Sequence, residues 1–498
     1  MIRNVLILMV FILFSVAQSA AQKVTIYGVA PEYAGYELAF YFVANPFSNN
    51  EITLVKSNVA DNGNFKLSFQ CCDTHLIFIN LGVWRVRLYV EPDFSYEVEL
   101  PPRFDKTPEE EESPFFKMEN LYMKLLTVKD NNGQIVTPEK ELNYRIINFD
   151  AYFNSLYDQL AVDAAKKCPV SWLDSTINSY IETLPKTGNK YFDDYSFYNS
   201  GLLYIAANRN IVYDIPLIYF ADKPVLYNNI AYMELFNAVY DKHFRTKNYD
   251  LSDIINQEGS YGGLKRELRK NEVLANDELC ELVILKNIHD EFYQNQFSRG
   301  ALIHILDSAK IHSKVVRNNE IAGEIRSKIT KMLAGFEPPD FSLYKHDSIL
   351  VNLQSYRGKY VYLMFCSTQK NNCISQFELL ERLYKTHHKW LDIVVIAVDD
   401  NFADMQRYKK ESAYPWDFLH YANDPEIIKK YDVRIFPTSF LINPEGKLAL
   451  SPAPVPAPIY QPGIDGLNVV ERALWNELNS KGLWREYVNK GLITIINN

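Results

Sequence analysis

The chain has 498 residues, 47% of them hydrophobic and 23% charged, so neither a fibrous fold nor long disorder fits. Its 52 Lys and Arg against 61 Asp and Glu leave a formal charge of −9, which argues against nucleic acid as a partner. The 34 Tyr and 29 Phe are a high aromatic share that suits half-wet surfaces without specifying one.

Arg3, the apolar run Val5 to Val16 and the small residues Ser19, Ala20 and Ala21 read as a secretory signal peptide over residues 1–21. No later stretch is long and apolar enough to span a bilayer, so the mature chain is expected outside the cytoplasm, in the periplasm or cell envelope.

Residues 22–102 alternate like strands. Leu38, Phe40 and Phe42 share one face; Phe65, Leu67 and Phe69 share another after the turn signal Asn62-Gly63. The expectation is an N-terminal antiparallel β-sandwich. Cys71 and Cys72 follow a strand end and read as plain thiols, one of them packed. Pro101-Pro102 and the acidic run Glu109 to Glu112 mark a boundary.

From there to residue 334 the period reads as helical. Met118, Leu121 and Leu125 fit one stripe, and Ile146, Phe149, Phe153 and Leu156 another. The expectation over 103–334 is a central all-α helical array, with Phe197, Tyr198, Tyr204 and Tyr213 packed in it. The scattered histidines lack metal spacing, and the six cysteines form neither a CxxC pair nor a disulfide scaffold. No cofactor or metal is implied.

Residues 335–486 alternate strand and helix and end in an antiparallel pair over Asn443-Pro444-Glu445-Gly446, with a tail at 487–498; this is a mixed α/β sheet. The lead-in Pro338-Pro339-Asp340-Phe341-Ser342-Leu343 is followed by Leu353 and by Arg357-Gly358-Lys359-Tyr360-Val361. Farther on come Tyr431-Asp432-Val433-Arg434-Ile435-Phe436-Pro437-Thr438 and Phe440-Leu441-Ile442-Asn443-Pro444-Glu445-Gly446-Lys447. Together these resemble the thioredoxin-like fold of exported thiol-disulfide reductases of the TlpA/ResA and AhpC/TSA type. The β-rich and helical parts are similar to N-terminal extensions of such proteins.

The resemblance implies a dithiol at a helix start, where helix-end N–H groups favour a thiolate. This sequence reads Phe365-Cys366-Ser367-Thr368-Gln369-Lys370-Asn371-Asn372-Cys373. By the resemblance, Lys370 stands at the nucleophile's position and Cys373 at the resolving one. Cys366 stands where an aromatic residue is usual, and Met364 where a buried carboxylate can assist proton transfer. Pro437 takes the place of a cis-proline facing the dithiol, and Phe436 presents backbone to an extended peptide.

Cys373 is expected to point inward. A Cys366–Cys373 disulfide is set aside here, because the corner between strand and helix is expected to hold the two Cα atoms beyond about 7 Å. The leading expectation is a member with the CxxC degenerated to Lys-Asn-Asn-Cys that binds a protein or peptide in the envelope. Two alternatives stand: a working oxidoreductase using Cys373 or an unusual pair, and a ligand- or glycan-binding protein with this domain as scaffold.

Overall fold

The computed structural model describes residues 22–490 apart from 46, 48–49, 108–109, 111–115, 168, 170, 185–187, 208–213, 246–250, 295 and 457–465. The signal-peptide reading, Cys168, Tyr213 and most of the acidic run lie outside the described residues. The described chain forms two compact units, one up to Arg326 and one from Ser327 onward.

The first unit begins with strands β1 (Lys23–Val29), β2 (Glu37–Val43), β3 (Glu51–Asn58), β4 (Asn64–Gln70), β5 (His75–Leu81), β6 (Trp84–Val90), β7 (Ser95–Glu99), β8 (Glu119–Tyr122) and β9 (Lys124–Lys129). They make a four-stranded sheet ordered β4-β1-β7-β9 and a five-stranded sheet ordered β3-β2-β5-β6-β8. Alternate residues of both turn inward, Phe65 and Leu67 from one sheet and Leu38 and Phe40 from the other, into one shared core.

Two expectations need correction. The sandwich is not purely antiparallel, because β1 pairs with β7 and β6 with β8 in parallel. The stripe Met118, Leu121, Leu125 is no helix: Leu121 lies on β8 and Leu125 on β9, so both belong to the sheets. The strand period is hidden because Glu97 pairs with Thr127 and Val98 with Leu125, leaving Leu126 as an extra, bulged residue. Buried Met123 lies between the two strands, where the chain crosses from one sheet to the other.

The helical region holds α1 (Leu142–Lys166), α2 (Leu173–Thr183), α3 (Lys190–Ala206), α4 (Ile215–Tyr219), α5 (Ile230–Val239), α6 (Tyr261–Leu268), α7 (Asp277–Phe292), α8 (Arg299–His312) and α9 (Val316–Thr330). Several start where a short polar side chain caps the first turn: Asn189 accepts from the Phe192 amide, Asn229 from Tyr232 and Ser298 from Ala301. The aromatic crowding is core, with Tyr198 packed against Tyr219, Phe220 and Tyr232.

The second unit is a seven-stranded mixed sheet. Its strands are β10 (Ser342–Lys345), β11 (Leu350–Asn352), β12 (Tyr360–Cys366), β13 (Leu391–Ala397), β14 (Asp417–His420), β15 (Thr438–Ile442) and β16 (Leu448–Ala453), in the order β11-β10-β14-β13-β12-β15-β16. Strands β12, β13 and β14 run parallel, and β15 antiparallel to β12. The helices are α10 (Asn371–His387), α11 (Phe402–Ser412), α12 (Ile427–Lys430), α13 (Gly466–Ser480) and α14 (Trp484–Asn489). β12 is buried on both faces, which is why it reads as an unbroken apolar run. Tyr362, Met364 and Cys366 face a core shared with Cys373, Phe377 and Leu380 of α10; Val361, Leu363 and Phe365 face the opposite core.

Candidate functional site

That alternation builds the site. Cys366 is the last residue of β12 and falls on the face that α10 covers. The chain reverses over Ser367 to Lys370, and the first turn of α10 aims Cys373 back at the same core. The two sulfurs are joined as a disulfide with a Cα–Cα separation of 5.6 Å, and both residues are 0% exposed. The expectation that the corner holds them too far apart is therefore wrong: the reversal folds seven residues of sequence into disulfide range. Cys373 does point inward, as expected, but as a paired residue and not as a lone thiol.

Lys370 is exposed and takes the N-cap position of α10, its carbonyl accepting from the amides of Cys373 at 2.9 Å and Ile374 at 3.0 Å. Met364 is fully buried in the core shared with both cysteines, so no carboxylate stands at that point. The Phe436–Pro437 peptide bond is cis, and Phe436 lies beside the helix start: Asn372 donates from Nδ2 to its carbonyl oxygen at 2.9 Å. The fold thus brings Cys366, Lys370, Cys373, Phe436 and Pro437 to one end of the sheet.

A carboxylate that sequence reasoning missed organises the reversal. Asp399, two residues past β13, is nearly fully buried. It accepts from Ser367 Oγ at 2.7 Å, from the Thr368 amide at 2.8 Å and from Thr368 Oγ1 at 2.6 Å. The loop so held aims the Ser367 amide at Cys373 Sγ, 3.2 Å away. His420 Nε2 donates to the Asp399 carbonyl oxygen at 2.8 Å, while its Nδ1 accepts from the Ala422 amide. That pattern fixes one neutral tautomer, and burial pushes the imidazole below its ordinary range. The Asp399 signal was hard to see because its partners lie 31 and 32 residues back in the chain. Gln376, one turn past Cys373, is also buried, and its Oε1 has no hydrogen-bond partner among the described residues.

The chemistry available follows from access. Thiol–disulfide exchange needs an attacking thiolate to reach a sulfur in line. Here the exposed position carries an amine and the sulfurs are inside. Among the described residues no group of three or more His, Cys, Asp or Glu could hold a metal ion.

The AhpC/TSA family profile matches residues 334–451. The thiol-disulfide oxidoreductase ResA of Bacillus cereus is 32% identical over 124 residues, 24% of this chain and 70% of that protein. ResA of Bacillus subtilis is 30% identical over 115 residues, 23% of this chain and 64% of that protein, so slightly under two thirds of its length is spanned. The thioredoxin domain of a thiol-disulfide oxidoreductase from Bacteroides vulgatus aligns with 29% of this chain and 96% of its own length at 18% identity, with a TM-score of 0.25, too low to add weight. On the ResA relationship the chain belongs to the AhpC/TSA family, and its second unit is a thioredoxin-like domain of the TlpA/ResA type.

Proposed function

We infer that this chain is an exported member of the family that has given up dithiol exchange and binds a peptide or protein in the cell envelope. One observation carries the reading: the exposed position at the start of α10 is Lys370, while Cys366 and Cys373 are paired and sealed in the core. An ammonium group cannot open a disulfide, and a buried disulfide offers no sulfur to an incoming thiolate. The Cys366–Cys373 bond then acts as a staple between the end of β12 and the start of α10. The backbone of Phe436 beside Pro437 remains as the surface for an extended segment. In this reading residues 1–21 direct export; no helix among the described residues is long and apolar enough to cross a membrane.

A second reading, an oxidoreductase working through Cys366 and Cys373, draws on the pairing itself. Insulin reduction separates the two. The wild type should show no turnover above the dithiothreitol background, and Lys370→Cys combined with Cys366→Ser, which frees Cys373 from its partner and restores the Cys-x-x-Cys spacing, should gain it. Wild-type turnover that disappears in Cys366→Ser would favour the second reading.

A further inference from the structure

The first unit has an open sheet edge beside an apolar groove. β9 is the last strand of its sheet, paired on one side with β7. On its other side only the end is covered, where the Val136 amide donates to the Val128 carbonyl at 2.9 Å and Lys129 bridges to Ile135. From Lys124 to Thr127 no strand pairs with that outer side among the described residues. An uncovered row of amides and carbonyls is a template for another strand.

The groove of about 480 Å³ along this edge runs between β9 and the first turns of α1. Leu126 and Ile135 on one wall are 55% and 69% exposed; Tyr144 and Ile147 of α1 form the other. Isolated exposed apolar residues are ordinary, but a contiguous set flanking an unpaired strand is not.

Tyr122 also lines the groove and leads to an acidic site. Its hydroxyl donates to Asp150 at 3.0 Å, and Tyr195 donates to the other oxygen of Asp150 at 2.7 Å. Glu234 of α5 is an electrostatic neighbour of Asp150, and Tyr157 and Tyr191 are neighbours of Glu234. Arg87 of β6 is a cation that bears on Glu234 there. Desolvation lifts the carboxyl of half-buried Asp150 above its ordinary range; Glu234, exposed at the surface, is raised by desolvation from its neighbours and by Asp150, with Arg87 opposing. Two carboxyls whose charged forms are disfavoured by their surroundings and by each other would gain from a further cation beside them.

We propose that the open edge of β9 docks an extended peptide by strand addition, with a Lys or Arg side chain of that peptide seated between Asp150 and Glu234. The edge supplies backbone hydrogen bonds, the groove takes alternate apolar side chains, and the acidic end sets the register. The proposal uses residues of the first unit alone and does not depend on the reading of the cysteines.

The test uses the full chain and a blocked pentapeptide of alternating valine and threonine ending in arginine, with a glutamate-ended version as control. Calorimetry should show the arginine peptide binding at least tenfold more tightly. Glu234→Gln and Asp150→Asn should each reduce that preference severalfold; the first keeps the test valid should loss of the Asp150 bonds disturb folding. Leu126→Asp, at an exposed position, should weaken both peptides, and N-methylation of the pairing amides should cost at least tenfold. Equal affinity for the two peptides, no binding at millimolar concentration, or indifference to Leu126→Asp would overturn the proposal. So would a concentration-dependent dimer abolished by Leu126→Asp, which would give the edge to a second copy.

Discussion

Asn372 Nδ2 lies 2.9 Å from the carbonyl oxygen of Phe436, so the residue before the cis-proline has its acceptor capped by the loop that carries Lys370. An extended peptide that pairs with this backbone has to displace the Asn372 amide. One such hydrogen bond is worth about 1 kcal/mol net. Asn372→Ala should therefore tighten peptide binding at this surface by roughly fivefold, since 1.4 kcal/mol corresponds to a factor of ten. Calorimetry with a cysteine-free extended peptide checks this; unchanged or weaker binding would mean that Phe436 is not a docking point.

Asp399 should matter for stability more than its place outside the helices and strands suggests. Asp399→Ala leaves Ser367 Oγ, the Thr368 amide and Thr368 Oγ1 without their acceptor in a buried loop. Stranding buried donors of charge-assisted bonds costs on the order of 3 kcal/mol. Denaturant unfolding followed by tryptophan fluorescence should show an earlier transition for the second unit, with a smaller loss for Asp399→Asn. The freed loop should also expose the Cys366–Cys373 bond to dithiothreitol in the native state.

The first unit should be less stable in mild alkali than in mild acid, and Glu91 is a specific cause. Its carboxyl is pushed up to about 7, chiefly by burial, although Asn189 donates to it at 2.7 Å. A carboxyl held above its unfolded value binds its proton more tightly in the native state. Its contribution is complete below about pH 4.5 and is lost as pH rises through about 7. At 1.36 kcal/mol per pH unit the change is at most about 3 kcal/mol. Glu91→Gln keeps a neutral group of the same shape and should flatten this part of the stability profile, raising the unfolding midpoint above pH 7. A profile with the same slope in both proteins would place the titration elsewhere.

The parts of the fold legible in the sequence are those whose period survives in the chain itself. β12 shows as an apolar run and β15 with β16 as a hairpin over Asn443 to Gly446, because burial and turn chemistry are local. The β8–β9 corner was misread as helix because the bulge at Leu126 breaks the alternation. The recognisable segments led to Lys370, Phe436 and Pro437. The cysteine pairing was lost because spacing along the chain does not show the reversal at Ser367 to Lys370. Asp399 and the Glu91–Asn189 contact were invisible for the same reason: each joins residues far apart in sequence, the latter 98 apart.

Native-state alkylation read by mass spectrometry, with and without dithiothreitol, tests the central claim most directly. Cys72 is exposed and should label at once. Buried Cys71 and Cys280 should react slowly, their thiols pushed up to about 11 and about 12 by burial. Cys366 and Cys373 should stay unlabelled in the native protein even with millimolar dithiothreitol, and should appear together once the second unit unfolds. Rapid labelling of Cys373 or Cys366 in the folded, reduced protein, with reoxidation by an added disulfide, would contradict the account and show a working redox pair.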